Sequence, residues 1–320
     1  MSSLLTVTGS FALVWLSTWL LCSLTLTVLY PLLRRHLLRL HPADGSALLL
    51  LLLAFPVLLS LVSTLLLFTP GLETSLVSDH CHGNCQAHIP LVNSAGLAGT
   101  GLVLLAVLVL ILGSRLLFHV RVGRRLMAQL ATLARPGQHY WLLDDDDPLV
   151  FTLGWWRNRI YLTRGLLRRC SQADIAIVLA HEKEHVRRLD NLRLLLARLF
   201  LLVVPRGLAG TLFADLHALT ESACDLAAAE QSDPLDVAGT LLKVQRLVPS
   251  RITYHEASIT SAFTGAEIER RVQALLDYHA GVPNLLHGVR LCALALLVCS
   301  VLLVDPLHHS VELLLHLAGN

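Results

Sequence analysis

Long apolar runs without a charged residue constrain the fold of this chain more than any other feature of its sequence. The runs over residues 11–33, 47–68 and 91–113 contain no Asp, Glu, Lys or Arg, and a shorter fourth run covers 289–304. A helix needs about 20 mostly apolar residues to cross a bilayer. Only 15% of the 320 residues are charged, against about 25% in soluble proteins. The sequence therefore predicts a mostly α integral membrane protein with four transmembrane helices.

The placement of Lys and Arg predicts how the chain crosses the membrane. Arginines follow the first run, at Arg34, Arg35 and Arg39, and four more follow the third run, whereas residues 70–90 and the tail from Asp305 contain neither Lys nor Arg. Cytoplasmic loops are enriched in Lys and Arg. We therefore expect both termini outside and a cytoplasmic domain at residues 119–288. Residues 1–118 are assigned to three membrane helices, and 289–320 to a fourth helix and a short outer tail.

The expected cytoplasmic domain has the pattern of a small α+β unit. It begins with an amphipathic stretch at residues 119–134. Short β-prone segments then alternate with turn residues, and the last two of them form a predicted hairpin. Ser171 predicts a helix N-cap, with Asp174 completing a capping box. The predicted strands lie at residues 139–143, 150–153 and 159–162, and the predicted helices at 172–190, 191–204 and 212–231. The middle helix is too short for a span and is expected to pack against the bilayer face or the other helices.

The strongest chemical signal is the pentapeptide from His181 to His185. Its two histidines are four residues apart, so a helix places both imidazoles on one face as two corners of a tetrahedral zinc site. This HExxH pattern is typical of metalloproteases. Zinc lowers the pKa of the water it binds to about 7, and a neighbouring carboxylate takes the proton. Glu182 and Glu184 flank the histidine face equally, so the helical period leaves open which of them is the base.

A catalytic zinc site needs a third protein ligand. Glu221 is the first candidate, and Asp225, one turn later, is placed to accept the second N–H of a ligand histidine. Asp190 offers another carboxylate for the same purpose. His217, one turn before Glu221, is the competing third ligand.

Four motifs recur together in one known family. They are Phe151-Thr-Leu-Gly154 with Arg159-Ile-Tyr-Leu162, the run from Val178 to Asn191, Glu221-Ser-Ala-Cys-Asp225, and the run from Glu269 to Leu276. In these motifs the chain resembles the bacterial membrane metallopeptidases of the beta-lactam sensor-transducer type, the BlaR/MecR-like antirepressor peptidases. The resemblance covers residues 10–305 and includes three spans before the domain and one after it.

The resemblance implies a gluzincin-like zinc peptidase domain in a multi-pass protein of the bacterial inner (cell) membrane. Zinc (Zn2+) is then expected on His181, His185 and Glu221. Glu182 is expected to be the base, as in known HExxH enzymes. The implied activity is limited cytoplasmic proteolysis, either of a winged-helix transcriptional repressor or of the peptidase itself, in transmembrane signalling.

Substrate contacts are expected on the strand over residues 159–162, as an edge on which substrate backbone pairs. The candidates to contact substrate or to stabilise the oxyanion are Tyr161 on this strand, Arg271 and His255. A homodimer is a candidate assembly. The net charge of +2 gives no reason to expect direct nucleic-acid binding.

Two features depart from the family. Residues 215–220 replace its basic run, and the large penicillin-binding sensor has no counterpart up to Asn320, so beta-lactam sensing is not expected.

One alternative is a quality-control protease similar to the HtpX type, but those proteins place two spans between HExxH and the glutamate. A non-catalytic membrane receptor or metal sensor is the other alternative.

The predicted outer loop over residues 70–90 concentrates metal-binding residue types. These are Cys81, Cys85, His80, His82 and His88. Two interpretations stay open: a Cys81–Cys85 disulfide in an oxidising compartment, or a sensor site for zinc or copper.

Overall fold

Helices make up most of the residues that the computed structural model describes, which are 2–69, 95–247, 265–276 and 285–318. The helices are α1 (Ser2–Leu37), α2 (Pro42–Leu67), α3 (Ala95–Leu133), α4 (Arg164–Arg169), α5 (Gln172–Arg188), α6 (Asp190–Phe200), α7 (Arg206–Ala229), α8 (Pro234–Leu247), α9 (Gly265–Leu276) and α10 (Leu285–Ala318). The strands are β1 (Ala134–Pro136), β2 (Trp141–Leu143), β3 (Val150–Leu153) and β4 (Arg159–Thr163). The predicted combination of many helices and a small sheet is confirmed.

Among the described residues, three helices are long and apolar enough to cross a membrane. The qualifying segments are Leu4–Leu37 of α1, Pro42–Leu67 of α2 and Gly96–Leu133 of α3. These segments support a multi-pass membrane protein. In α10 the apolar stretch Leu294–Ser310 is shorter, so the fourth span stays a prediction. The residues after 304, expected as a tail, continue α10 as far as Ala318.

Small residues allow the membrane helices to pack closely. A Cβ atom added to Gly101 of α3 would lie 2.4 Å from the carbonyl oxygen of Gly9 in α1. Small residues at such crossings are typical of helix pairs in membranes. Helices α2 and α10 meet where Ser63 Oγ donates to the Ser300 carbonyl at 3.1 Å.

The third predicted span and the amphipathic stretch lie on one continuous helix, α3, which has 39 residues. At about 1.5 Å per residue it is about 58 Å long, nearly twice the roughly 30 Å hydrocarbon core. No proline interrupts it, and its arginines do not disturb backbone hydrogen bonding. Its last turns pack on the sheet through Leu126, Met127 and Leu130.

The four strands form one mixed sheet in the order β1-β2-β4-β3. The predicted hairpin is confirmed, since β3 and β4 are antiparallel, while β2 and β4 are parallel. The prediction that β4 is the substrate-binding edge is wrong. It lies between β2 and β3, so its backbone groups are already hydrogen-bonded on both sides. In the described part of the chain the edge strands are β1 and β3.

Helix α5, which carries the HExxH motif, begins and ends at well-defined residues. The predicted capping box is confirmed, with Ser171 N donating to Asp174 Oδ2 at 2.7 Å and Asp174 N donating to Ser171 Oγ at 3.2 Å. The helix ends at Leu189, whose φ of 55° is left-handed. This conformation costs a non-glycine residue roughly 1–2 kcal/mol. It turns the chain directly into α6, which brings Asp190 back to the motif.

Helices α6 and α7 pack against the membrane helices α1 and α2, as expected for the short helix after the motif. Their shared core comprises Tyr30, Leu49, Leu53, Leu194, Ala197, Leu201, Val204, Leu212, Leu216 and Leu219. An ion pair between a half-exposed arginine and a buried carboxylate reinforces it: Arg34 Nε and Nη2 donate to the two carboxylate oxygens of Asp215 at 2.5 and 2.8 Å. Tyr30 OH donates to the same carboxylate at 2.7 Å. Asp215, in the segment that departs from the family pattern, therefore ties α7 to α1.

Candidate active site

Three potential metal ligands converge between α5 and α7. The Nε2 atoms of His181 and His185 are 3.2 Å apart. Glu221 Oε2 lies 3.7 Å from His181 Nε2, and Glu221 Oε1 lies 3.5 Å from His185 Nε2. Bond lengths of about 2.0–2.1 Å in tetrahedral zinc sites separate neighbouring ligand atoms by about 3.3–3.5 Å. The spacing of these donors therefore fits zinc.

The second nitrogen of each histidine faces a buried carboxylate. His181 Nδ1 lies 3.0 Å from Asp225 Oδ1, and His185 Nδ1 lies 2.9 Å from Asp190 Oδ2. A carboxylate at Nδ1 keeps the proton on that nitrogen and leaves the Nε2 lone pair for a metal. In the neutral form of each ring, these carboxylates therefore favour the tautomer that a metal ligand requires.

The charges around the site favour a cation. Burial alone would lower the pKa of His181, but the hydrogen bonds and charges of Asp225 and Glu221 raise it to about 10. Burial would raise the pKa of Glu221, but the positive charge of Arg271 and the hydrogen bond from His181 hold it well below its ordinary value. The carboxylates therefore stay ionised and stabilise positive charge where a divalent metal would bind.

Arg271 lies directly behind the ligand carboxylates. Its Nε and Nη2 atoms donate to the two oxygens of Asp225 at 2.6 and 2.7 Å, and Nη1 lies 3.1 Å from Glu221 Oε2. The residue is 2% exposed. Arg271 thus joins α9 to the ligand-bearing helix α7, and its contact with an oxyanion stays a prediction.

The two glutamates inside the motif have different environments. Thr152 Oγ1 on β3 donates to Glu182 Oε2 at 2.6 Å, and Glu182 is buried. Glu184 instead accepts from Nε and Nη2 of Arg187, one turn later on the same helix, at 2.6 and 2.5 Å. Both oxygens of the Glu184 carboxylate are therefore paired with Arg187, whereas the Glu182 carboxylate is directed towards the edge strand β3. This difference favours Glu182 as the base.

Thr152→Val is expected to slow peptide hydrolysis by about 10- to 100-fold, because a hydrogen bond to a charged group contributes roughly 1.5–3 kcal/mol. Valine keeps the shape of threonine but cannot hold the Glu182 carboxylate. The measurement is steady-state hydrolysis of a fluorogenic peptide at equal zinc content. Thr240→Val is the matched control, since Thr240 is also buried and donates to a remote carboxylate, Asp174 Oδ1, at 3.2 Å. Equal rates for the two variants would contradict a positioning role for Thr152.

Tyr161 is too buried for the substrate contact suggested by the sequence. Its side chain is 0% exposed, and its ring stacks on Phe151 with centroids 5.4 Å apart. Side chains alternate along a strand, so Tyr161 points to the face that packs on α3, while Ile160 and Leu162 pack towards Val178 of α5. Its neighbours are therefore core side chains.

Of the remaining predicted site residues, His217 lies in the described part of the chain. His217 Nε2 lies 3.8 Å from Glu221 Oε1. Among the described residues, the potential ligands that group with both motif histidines include Glu221 and not His217. The others lie outside the described residues: His255, His80, Cys81, His82, Cys85 and His88.

Several residues near the site were not predicted from the sequence. Cys224 Sγ lies 3.3 Å from His185 Nδ1 and forms a second group of potential ligands with His185 and Asp190. The histidine atom in this second group is Nδ1 of His185, whereas Nε2 of the same ring faces Glu221. Asn191 Nδ2 donates to the Thr152 and Gly154 carbonyls at 3.1 and 3.0 Å. Thr152, Asn191 and Cys224 all stand inside the motifs quoted above, but sequence spacing alone does not indicate these contacts.

Comparison with known proteins gives one family match. The model of Peptidase family M48 matches residues 119–296, more than half of the chain. No curated protein and no solved structure gives a significant match. The matched segment includes α5, α7 and α9, the three helices that supply the site.

Proposed function

The chain belongs to peptidase family M48, and we propose that it is a membrane-bound endopeptidase making limited cuts in a cytoplasmic protein during transmembrane signalling. The family and the cluster of His181, His185 and Glu221, which fits an HExxH site, make it a zinc metallopeptidase. The substrate class and the signalling role are the proposed part.

The proposed roles of the site residues follow from their contacts. His181, His185 and Glu221 would hold zinc, which would act as a Lewis acid on the scissile carbonyl and lower the pKa of water. Glu182 takes a proton from water as the water oxygen bonds to the carbonyl carbon. It then gives that proton to the amide nitrogen as the C–N bond breaks. Thr152 holds Oε2 of Glu182, so Oε1 is the oxygen assigned to proton transfer.

We assign substrate binding to the edge strand β3. Thr163 N donates to the Leu149 carbonyl at 3.1 Å, so Val150 and Thr152, in alternate register, direct their backbone groups away from β4. The Thr152 carbonyl already accepts a hydrogen bond from Asn191 Nδ2. A substrate strand therefore pairs with the N–H and C=O of Val150 and the N–H of Thr152.

The direct contact between site helices and membrane helices carries the signalling proposal. Helix α7 bears Glu221, and its buried Asp215 forms the ion pair with Arg34 of α1. A displacement of α1 would therefore act on a helix that holds a zinc ligand. The BlaR/MecR-like motifs support the same role, with a winged-helix repressor or the chain itself as substrate. The excess of arginine in the loops after the first and third apolar runs supports an active site on the cytoplasmic side of the bacterial inner membrane.

Quality control of membrane proteins is the second candidate, and the length of the intervening helix argues against it. The HtpX type places two spans between HExxH and the glutamate. Here the fully described segment between His185 and Glu221 contains α6, which has 11 residues. A helix of that length is about 16 Å long, whereas a span requires about 30 Å.

The proposal is tested by mapping new protein N-termini in cells that carry the wild-type chain or Glu182→Gln. Limited signalling proteolysis predicts a few cuts that depend on Glu182, in a soluble DNA-binding repressor or within residues 119–288 of the chain itself. Many cuts spread over misfolded membrane proteins would contradict the signalling role and favour quality control.

A further inference from the structure

A serine at the N-terminal end of α2 contacts the active-site region. Ser46 Oγ accepts hydrogen bonds from Arg188 Nη2 at 2.6 Å and from Arg193 Nη2 at 3.2 Å. It donates to the Ala43 carbonyl at 2.9 Å. Ser46 is 0% exposed and belongs to a candidate membrane span. Arg188 is the last residue of α5, and Arg193 lies in the first turn of α6.

Both arginines also bind the carboxylate that orients a proposed zinc ligand. Arg193 Nη1 lies 2.8 Å from Asp190 Oδ1, and Arg188 Nε lies 3.3 Å from the same oxygen. The other oxygen of Asp190 lies 2.9 Å from His185 Nδ1. A continuous set of hydrogen bonds thus runs from Ser46 through two guanidinium groups and one carboxylate to His185.

Opposite charges stabilise this set of side chains. Burial alone would raise the pKa of Asp190, but the hydrogen bond from His185 and the charges of Arg188 and Arg193 lower it. The two guanidinium groups repel each other, and the hydroxyl of Ser46 accepts from both. Losing that acceptor would leave the Nη2 donors of both arginines without their partner, with Asp190 as the remaining shared acceptor, and buried donors are costly to leave unpaired.

The neighbouring glycine fixes the position of this hydroxyl relative to α7. A Cβ atom added to Gly45 would lie 3.3 Å from the side chain of Leu219 and 3.0 Å from the Leu37 carbonyl. At this level α2 therefore packs tightly on the helix that bears Glu221. A shift of α2 of about 1 Å would lengthen both bonds to Ser46 beyond hydrogen-bonding distance.

We propose that Ser46 is a positioning residue for His185, acting through Arg188, Arg193 and Asp190, so that the N-terminal end of α2 sets the zinc affinity of the site. The inference rests on the proposed function of His185 as a zinc ligand. It assigns to a membrane helix a direct influence on the metal site, by a route separate from the Arg34–Asp215 pair.

The test is the zinc affinity of the full chain in detergent, measured by titrating the metal-free protein with zinc against a competing chelator. Ser46→Ala is expected to weaken zinc binding by about 3- to 10-fold, less than the roughly 10- to 100-fold typical of direct partners of metal ligands. Ser60→Ala is the matched control. Ser60 is equally buried in α2, and its hydroxyl donates within its own helix, to the Val57 carbonyl at 3.0 Å.

A double-mutant cycle identifies the route. If Ser46 acts through Arg188, Ser46→Ala adds little to the loss of zinc affinity caused by Arg188→Ala, because residues in one network are not additive. Full additivity, or a Ser46→Ala affinity equal to that of Ser60→Ala, would overturn the inference. His185→Ala separates the two levels. Retained zinc affinity in that variant would overturn the ligand assignment itself, whereas lost affinity with an unaffected Ser46→Ala would overturn only the positioning role.

Discussion

Replacing Glu182 with glutamine is expected to lower peptide hydrolysis by about 10²- to 10⁴-fold, the usual contribution of a general base. Glutamine keeps the size of glutamate and can still accept the hydrogen bond from Thr152, but it cannot take a proton. Zinc content should therefore remain at the wild-type level. The measurement is single-turnover and steady-state hydrolysis of a fluorogenic peptide by the purified full chain, together with metal analysis of the same samples.

Glu184→Gln is the matched control for this experiment, since it makes the same chemical change two residues away. Glu184 is bound by Arg187 of the same helix and not by Thr152, so its replacement should leave the rate of hydrolysis within about twofold of wild type. A rate loss in Glu184→Gln equal to that in Glu182→Gln would refute the assignment of the base.

Arg271→Ala is expected to destabilise the fold by about 3–5 kcal/mol, the usual cost of removing one partner from a buried ion pair. Asp225 and Glu221 would both remain buried without their guanidinium partner. Bound zinc would supply part of the missing positive charge, so the loss should be larger in the metal-free protein than in the zinc-loaded protein. The measurement is thermal unfolding of the full chain in detergent, with and without zinc.

Arg270→Ala provides the comparison, because Arg270 is the exposed neighbour on the same helix. The two proposed roles of Arg271 predict different outcomes. An Arg271→Ala protein with wild-type stability and zinc content but slower hydrolysis would favour contact with the oxyanion over support of the ligand carboxylates.

The parts of the fold that could be predicted are those set by residues close in sequence. The capping box of Ser171 and Asp174 fixes the start of α5, and the bounds of β3 agree with its pattern. The four-residue spacing of His181 and His185 defines two donors of the site. Local patterns could not give the order of the sheet, since the parallel pairing of β2 with β4 joins segments that are distant in sequence.

The supporting contacts of the site also depend on distant parts of the chain. Thr152 and Glu182 are 30 residues apart, and Ser46 and Arg188 are 142 residues apart. Nothing in the apolar pattern of α2 distinguishes Ser46 from its other serines. Arg271 was predicted near the site, but its two carboxylate partners could be identified only from the packing of α9 on α7.

The continuity of α3 with the sheet has a mechanical consequence. The helix ends at Leu133 and β1 begins at Ala134, without a linker, and a Cβ atom on Gly123 would lie 3.3 Å from Trp155 Nε1 in the β3–β4 turn. Because the end of α3 packs on the sheet without an intervening loop, we expect the helix and the sheet to move together. A twist of α3 about its axis would carry the edge strand β3 with it and change the orientation of the bound substrate backbone relative to the metal ligands on α5 and α7. Rotation of α3 within the membrane would then control the angle at which the substrate strand on β3 meets the metal ligands.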